Sequence, residues 1–143
     1  MRFWDSSAVV PLLVEQDATV TMERRLAQDG GMAAWWATPI ECSSALARLE
    51  RAGVLAFDEM EVAASRLDAM AEAWDEVQPS EPVRRAALRL LRVHPLRAAD
   101  AMQAAAAIVM AEHDPSSLEV VCLDGRLTET LRREGFRVRG EDL

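Results

Sequence analysis

The chain has 143 residues, of which half are hydrophobic, and a formal net charge of −8. This length fits a single domain with a real core, and no apolar run approaches the roughly 18 residues that a membrane span needs. The acidic balance has the wrong sign for a protein that binds nucleic acid mainly through charge. All 16 basic residues are arginine, whose planar fork suits phosphate and carboxylate groups.

The cysteine count argues against a structural metal site or a disulfide framework. The two cysteines, Cys42 and Cys122, fall inside elements that we predict to be buried. With two histidines and no CxxC spacing, they make a poor zinc-binding set. The first residues also lack the basic and then apolar pattern of an export signal. We therefore expect a cytoplasmic protein with reduced thiols.

The first third of the chain predicts two strands with helices between them. Residues 2–5 form a short strand that ends in Asp5, and residues 8–14 form a short apolar helix. Residues 17–28 are a weakly amphipathic helix that ends before a pair of glycines, and residues 32–36 are a buried strand. A carboxylate placed directly after a strand, as Asp5 is, lies where open α/β sheets bind ligands.

Residues 38–74 predict two helices that form a hairpin. Thr38 and Glu41 have the spacing of a capping box at the start of the first helix. The inner face of this helix is expected to carry Ile40, Ala45, Leu49 and Ala52. The second helix is expected to begin at Asp58, with Glu61 closing another capping box. Its apolar stripe, which indicates core or a subunit interface, consists of Met60, Ala63, Leu67, Met70 and Trp74.

The remaining sequence continues the alternation of strands and helices. The expected elements are a short strand at 76–78, helices at 80–91 and 100–113, a strand at 118–123, a helix at 127–134 and a strand at 136–138. The strand at 118–123 is β-branched and nearly all apolar, which is typical of a central strand in a parallel sheet. The whole order predicts one α/β domain over residues 1–143, with a mainly parallel sheet and right-handed crossovers.

Four acidic residues occupy the ends of these elements. Asp5 and Asp124 follow strands, whereas Glu41 and Asp100 lie in the first turns of helices. Each has an ordinary explanation as a helix cap or as a carboxylate at the positive end of a helix dipole. However, the carboxyl ends of parallel strands meet at one edge of the sheet, where the following helices begin. The four carboxylates can therefore converge on one crevice.

Carboxylates that converge require either raised pKa values or a divalent cation. Two like charges ~4 Å apart repel by about 4 kcal/mol at an effective dielectric of about 20, which is large beside the ~5–15 kcal/mol stability of a domain. An all-oxygen ligand set favours Mg²⁺ or Mn²⁺. Such ions suit phosphoryl chemistry, because they activate water and stabilise a leaving oxygen. The sequence has no phosphate-binding loop, dinucleotide-binding motif or nucleophile elbow.

Four blocks of the sequence resemble the signature blocks of PIN-domain ribonucleases, and most closely those of the VapC-type toxins of bacterial toxin–antitoxin pairs. The blocks are residues 3–8, 38–41, 94–103 and 123–127. They cover the chain in order and with suitable spacing. The Leu-Arg-Ala-Ala-Asp-Ala block, which contains Asp100, is the most specific of them.

The resemblance implies a fold, an activity and partners. The implied fold is a parallel sheet of four or five strands in the order 3-2-1-4-5, and the implied assembly is a homodimer. The implied activity is that of a Mg²⁺- or Mn²⁺-dependent endoribonuclease. The implied partner is an antitoxin whose tail packs along the hairpin at 38–74 and can place an arginine in the acidic crevice. The charge of −8 suits such a basic partner, and it favours a structured RNA target over a generic one.

The resemblance also implies roles for individual residues. Asp5 and Asp100 are the implied metal ligands, Glu41 completes the ligand shell or acts through water, and Asp124 is the fourth acid. Ser6 is expected to hydrogen-bond a ligand or a bound water.

From their position beside two of the acids, Arg97 and Arg126 are our own candidates for phosphate contacts. Two other functions stay open at this point. One is a PIN-like binding or scaffold module without turnover, and the other is a metal-dependent phosphatase that acts on small phosphomonoesters.

Overall fold

A computed structural model of the protein describes residues 1–141 and has a five-stranded sheet at its centre. The strands are β1 (Arg2–Trp4), β2 (Met32–Trp35), β3 (Asp75–Val77), β4 (Glu119–Val121) and β5 (Arg137–Arg139). Their spatial order is β3-β2-β1-β4-β5, and all four pairings are parallel. The predicted strand order and parallel pairing are therefore confirmed. The last two residues of the predicted domain, 142 and 143, lie outside the described range.

Helices cover both faces of this sheet. They are α1 (Ser6–Leu13), α2 (Thr19–Gln28), α3 (Thr38–Arg51), α4 (Phe57–Ala73), α5 (Glu81–Val93), α6 (Ala98–Met110) and α7 (Gly125–Arg133). Helices α3 and α4 pack against each other, which confirms the predicted hairpin. Within residues 1–141, no helix has both the length and the apolar character needed to cross a bilayer.

Two successive residues of the central strand β1 face two separate apolar clusters, one on each side of the sheet. Phe3 belongs to the cluster that the sheet forms with α5, α6 and α7. Trp4 belongs to the cluster on the opposite face, where α1, α2, α3 and α4 pack. Both side chains are at most 1% exposed, because successive side chains of a strand point to opposite faces. The sheet is thus the middle layer of three, and its strand ends lie at the edges of that layer, where helices leave it uncovered.

Helix α6 packs closely because its side chains are small. Its buried residues include five alanines with no exposed surface: Ala101, Ala104, Ala105, Ala106 and Ala107. The helix contacts α5 on one side and β2 on the other. A helix face made of small side chains lets the neighbouring backbones approach closely. This close packing fixes the position of its first turn, which carries Asp100.

The capping box predicted at the start of α3 is wrong. The N-cap residue is Ala37, and no side chain caps the helix there. Thr38 is instead the first helical residue and is fully buried. Its Oγ1 atom accepts a hydrogen bond of 3.1 Å from Nε2 of Gln103 on α6. The tertiary partner has taken the hydroxyl that the local pattern assigned to the cap.

The expected inner face of α3 is also displaced. The buried residues are Thr38, Cys42 and Leu46, spaced four residues apart, whereas Ile40 is 62% exposed. Ala45 and Leu49 pack against the core only at its margin. The reason is that packing against α1 and α4 turns inward the side of the helix that carries Thr38, Cys42 and Leu46. Hydrophobicity alone did not identify that side.

Helix α4 begins one residue earlier than predicted. Its N-cap is Ala56, and Oε1 of Glu59, rather than of Glu61, accepts the hydrogen bond of 2.9 Å from the Ala56 backbone N–H. The predicted stripe on this helix is confirmed as core, since Ala63 and Leu67 are buried and Met60 and Met70 pack against the same cluster. The arginines of α5 are exposed to solvent.

The close packing of α6 generates a prediction. Ala104→Leu should lower the free energy of unfolding by about 1–3 kcal/mol, because a fully buried site between the sheet and α5 has no room for three more carbons. Urea unfolding measures the change. The matched control is Ala98→Leu in the exposed first turn of the same helix, which should change stability by less than about 0.5 kcal/mol. Equal effects of the two substitutions would contradict this packing.

Candidate active site

The four acids that the sequence singled out line one cavity at the carboxyl edge of the sheet. This cavity has a volume of about 490 Å³, and Asp5, Glu41, Asp100 and Asp124 all contribute to its wall. Asp5 follows β1 directly, and Asp124 follows β4 by three residues. Glu41 and Asp100 come from the first turns of α3 and α6. The four elements bring together residues that lie up to 119 positions apart (124 − 5). We call this space the acidic cavity.

Asp5 is buried and tightly held at the floor of the acidic cavity. It is 4% exposed and serves as the N-cap of α1. Its Oδ2 atom accepts hydrogen bonds from the Ser7 backbone N–H at 3.0 Å and from the Ser7 hydroxyl at 2.5 Å. Burial raises the pKa of Asp5, the two bonds from Ser7 oppose that rise, and the charges of Asp100 and Asp124 add to it. The net direction is upward, so the site resists holding this carboxylate in its ionised form.

Ser7 is a site residue that the sequence reasoning missed. Besides its bond to Asp5, its Oγ atom accepts a hydrogen bond of 2.9 Å from the Leu123 backbone N–H. One hydroxyl thereby ties the residues that follow β1 to the residues that follow β4. A serine two positions after an aspartate has the spacing of a local side-chain turn, and this was the available signal.

Glu41 is held from two sides. Its Oε1 atom accepts a hydrogen bond of 3.0 Å from the Ser6 hydroxyl, and its Oε2 atom accepts one of 3.1 Å from Nε2 of Gln103. Burial and the charge of Asp5 raise the pKa of Glu41 to about 7, despite the two hydrogen bonds, which lower it. The Ser6 hydroxyl, for which we predict a contact with a ligand or a bound water, donates to Glu41 in this structure. Glu41 is thus poised to gain or lose a proton near neutral pH.

Asp100 and Asp124 complete the acidic side. Burial and the charge of Asp124 raise the pKa of Asp100, and the positive charges of Arg126 and Arg97 lower it. Asp124 is the N-cap of α7, and its Oδ1 atom accepts a hydrogen bond of 2.8 Å from the Leu127 backbone N–H. Both acids therefore stand at helix N-termini, where the dipole favours a negative charge.

The arginines around the acidic cavity differ from those expected. Arg97 and Arg126 are close enough to influence Asp100, but neither belongs to the residues that line the cavity. Arg126 lines a smaller hollow of about 180 Å³ beside His94. The arginine on the cavity wall is Arg48, whose NH1 atom donates a hydrogen bond of 3.2 Å to the Ser44 hydroxyl. Arg48 had no motif to mark it, because its position depends on how α3 packs.

The donor set decides which metal the acidic cavity suits. Its charged ligands are carboxylates. The nearby thiols of Cys42 and Cys122 have pKa values raised to about 12 by burial, so they stay protonated and are poor ligands at neutral pH. Among residues 1–141, no three His, Cys, Asp or Glu side chains are drawn together tightly enough to cage an ion. The carboxylate oxygens are the kind of ligand that Mg²⁺ and Mn²⁺ take, together with water and substrate oxygens. The crowded carboxylates, with their raised pKa values, are what such a cation would stabilise.

Comparison by sequence finds no match, whereas comparison by structure finds chains of similar fold. No family model matches the chain, and no curated protein matches it significantly. A chain of FitAcB from Neisseria gonorrhoeae superposes with a TM-score of 0.65 and 19% identity, covering 99% of this chain and 98% of that one. VapBC2 from Rickettsia felis bound to a promoter DNA fragment gives 0.66 and 12%, with 97% of each chain covered. A toxin–antitoxin complex from Klebsiella pneumoniae gives 0.61 and 13%, with 87% of each covered.

The class of fold follows from these matches and from the sheet. The chain has a PIN-like α/β fold with a five-stranded parallel sheet in the order 3-2-1-4-5. The solved structures that share this fold include a toxin–antitoxin complex, a VapBC complex and FitAcB, so the resemblance to VapC-type toxins is confirmed at the level of the fold.

The raised pKa of Glu41 generates a prediction for the metal-free protein. Between its ordinary pKa of 4.5 and about 7, the folded protein binds a proton that the unfolded chain has released. Stability must therefore fall as the pH rises through this window. Urea unfolding in chelator from pH 4 to pH 8 should show the fall. Glu41→Gln keeps the side-chain shape without the charge, so it should flatten the pH dependence. It should also raise the melting temperature at pH 8 by about 2–4 °C.

The matched control for this prediction is Glu61→Gln, on the exposed face of α4 and outside the acidic cavity. This variant should keep the wild-type pH dependence. A Glu41→Gln protein that loses stability with pH as steeply as wild type would mean that Glu41 does not carry the excess proton.

Proposed function

We propose that this protein is a metal-dependent endoribonuclease that acts as the toxin of a toxin–antitoxin pair. The observation that carries the proposal is the convergence of four carboxylates, from four separate parts of the chain, on one cavity at the carboxyl edge of a PIN-like sheet. The toxin role is supported by the toxin–antitoxin complex and the VapBC complex that share the fold.

The proposed reaction is hydrolysis of an RNA phosphodiester. Asp5 and Asp100 would hold Mg²⁺ or Mn²⁺, and Glu41 and Asp124 would hold it directly or through water. The ion would supply activation of the attacking water and stabilisation of charge on the leaving oxygen. Ser7 keeps the Asp5 carboxylate in one orientation. Attack of water on phosphorus with departure of the 3′ oxygen leaves a 5′-phosphate and a 3′-hydroxyl.

Glu41 is the group best suited to move a proton in this reaction. In the metal-free protein, burial and the charge of Asp5 raise its pKa to about 7, so it exchanges a proton near neutral pH. Ser6 and Gln103 hold both of its oxygens, so the carboxylate cannot rotate freely. When a cation occupies the acidic cavity, its positive charge shifts Glu41 toward the ionised form that accepts a proton from water.

The substrate-binding part of the proposal rests on arginines at the rim of the acidic cavity. Arg48 lines the cavity, and Arg97 and Arg126 lie near Asp100, so each can offer a planar fork to a phosphate. The net charge of −8 weakens any attraction that depends on charge alone. A structured RNA, recognised by shape, is therefore the substrate class that we propose.

The proposed partners are a cognate antitoxin and a second copy of the chain. Beside the start of α4 lies a groove of about 340 Å³ whose wall includes Val54 and Val62. These two residues are 64% and 53% exposed, which is unusual for large apolar side chains. The same groove carries the acids Glu15, Asp58 and Glu59. An amphipathic tail with basic residues complements this surface, and the cytoplasm is where we propose that the pair meets.

A second candidate function has one specific observation in its favour. In the part of the chain that the structure describes, no three acidic, histidine or cysteine side chains form a ready cage for an ion. This would suit a PIN-like binding module without turnover. Calorimetric titration with Mn²⁺ separates the two, because the module neither binds the ion nor cuts RNA. A chromogenic phosphate ester tests the remaining alternative, a phosphatase of small substrates.

The leading proposal predicts that single acids are essential. Asp100→Asn and Asp5→Asn should each lower RNA cleavage by roughly 10²–10³-fold or more, because each removes a charge that holds the ion while keeping the side-chain shape. Both should also abolish toxicity on expression. Cleavage of a labelled RNA under single-turnover conditions is the measurement. Asp68→Asn, on the exposed face of α4, is the control that should cut like wild type. Undiminished cleavage by Asp100→Asn would defeat the proposal.

The metal requirement predicts a gain of stability. Chelator-treated protein should melt at a higher temperature when Mg²⁺ or Mn²⁺ is added, because an ion that binds only the folded state stabilises it. At an ion concentration of about 100 times the Kd, the free energy of unfolding rises by about 2.7 kcal/mol. Scanning fluorimetry measures the shift, and Asp100→Asn should lose most of it. A melting temperature indifferent to both ions and to chelator would contradict a shared ion site.

A further inference from the structure

Gln103 and Thr38 form a buried polar pair behind the acidic cavity, and the proposed reaction uses this pair only through the hydrogen bond from Gln103 to Glu41. Gln103 is 1% exposed and Thr38 is 0% exposed. Gln103 lies on α6, three residues after Asp100, and Thr38 is the first residue of α3, three before Glu41. Each therefore stands about one helical turn from a candidate metal ligand, on the side turned toward the core.

The amide of Gln103 connects two helices through its nitrogen. Nε2 donates one hydrogen bond to Oγ1 of Thr38 and one to Oε2 of Glu41, each 3.1 Å long. Because Ser6 donates to the other oxygen of Glu41, the carboxylate is gripped by α1 on one side and by α6 on the other. Two donors on different oxygens fix the rotation of the carboxylate about its last bond.

The placement of this amide is costly for stability. Its neighbours on α6, Ala104 to Ala107, are all fully buried alanines. Within residues 1–141, its Oε1 atom has no hydrogen-bond partner although it is buried. A buried acceptor without a donor costs about 1–3 kcal/mol. An apolar side chain would fill the same volume without this cost, so the stability of the fold does not explain a glutamine here. What the glutamine alone supplies is a pair of N–H donors, and one of them is aimed at Glu41.

We propose that Gln103 is a positioning residue that holds the Glu41 carboxylate toward the acidic cavity and thereby sets both the affinity of the cavity for a divalent cation and the rate of cleavage. This inference rests on the proposed function. It differs from a purely structural role, in which Gln103 would only join α6 to α3 through Thr38. The two roles predict different results when the bond to Glu41 is removed.

The decisive variant is Gln103→Met, which keeps the volume and removes both donors. Titration of the chelator-treated full chain with Mn²⁺ alone should give a Kd that is 10- to 100-fold weaker, the usual effect of losing a partner of a metal ligand. The kcat for RNA cleavage should fall within the same roughly 10- to 100-fold range. The KM for RNA should change by less than about threefold, because Gln103 is buried and does not reach the substrate. Mn²⁺ affinity and kcat equal to wild type would overturn the proposal.

Two further variants keep a loss of folding from being mistaken for this effect. Leu90→Val creates a small hole in the same core cluster, on α5 and away from the cavity, and should cost about 1 kcal/mol of stability with unchanged Mn²⁺ affinity. Gln103→His restores one N–H donor at a similar reach and should recover most of the affinity. If Gln103→Met does not fold, Thr38→Val serves in its place. It loosens the amide without changing volume and should weaken Mn²⁺ binding by a smaller factor, whereas unchanged binding would overturn the proposal.

A double-mutant cycle shows through which residue Gln103 acts. In a Glu41→Ala background, Gln103→Met should cause no further loss of Mn²⁺ affinity, because its effect passes through Glu41. Additive losses would overturn the proposal. Failure of the proposed function is distinguishable, since then the wild-type chain itself neither binds Mn²⁺ nor cleaves RNA, and both proposals fall. Where wild type binds and cleaves but Gln103→Met matches it, only the role of Gln103 is lost.

Discussion

Repulsion between carboxylates at the carboxyl edge of the sheet is the constraint on which the rest of this structure depends. Asp5, Glu41 and Asp100 all have raised pKa values, first because of burial and then because each lies near another acid. Such a cluster persists only if its members take up protons, as their raised pKa values allow, or if a cation joins it. The fold supplies the first remedy, and its geometry leaves room for the second in a cavity of about 490 Å³.

The side chains that hold these carboxylates in place come from α1 and α6. Ser7 binds Asp5 and also the backbone after β4, so one hydroxyl fixes two strand ends. Ser6 and Gln103 hold Glu41 from α1 and α6. Behind them, the alanines of α6 let this helix lie close to the sheet and to α5, which makes the support rigid. The free energy gained from this close packing offsets the destabilising effect of the clustered carboxylates, as is usual for functional sites.

Periodicity and strand-edge geometry predicted the framework, and local patterns failed where a tertiary partner competed. The parallel sheet and the shared location of the four acids follow from that geometry, whereas the strand order 3-2-1-4-5 was implied only by the resemblance to PIN-domain ribonucleases. The capping box predicted at Thr38 is wrong, because a buried glutamine 65 residues away donates a hydrogen bond to the Thr38 hydroxyl. Likewise, the inner face of α3 follows Thr38, Cys42 and Leu46 rather than the side that carries Ile40. Ser7 was present in a recognised block, but its second bond, to Leu123, depends on a strand that arrives more than a hundred residues later.

The sequence by itself determined which side chains can meet, since alternating strands and helices require a parallel sheet and a parallel sheet gathers its strand ends at one edge. The four acids determined the acidic character of the site, and the resemblance of the signature blocks to PIN-domain ribonucleases implied the PIN-like class of the fold. Only the tertiary structure decided how the acids are held, with Asp5 hydrogen-bonded by Ser7 and Glu41 hydrogen-bonded by Ser6 and Gln103. It also decided that Arg48, rather than Arg97, lines the cavity wall. The physical reason is that a hydrogen bond tolerates changes of only a few tenths of an ångström in its donor–acceptor distance. Packing sets that distance, and no one-dimensional pattern encodes it.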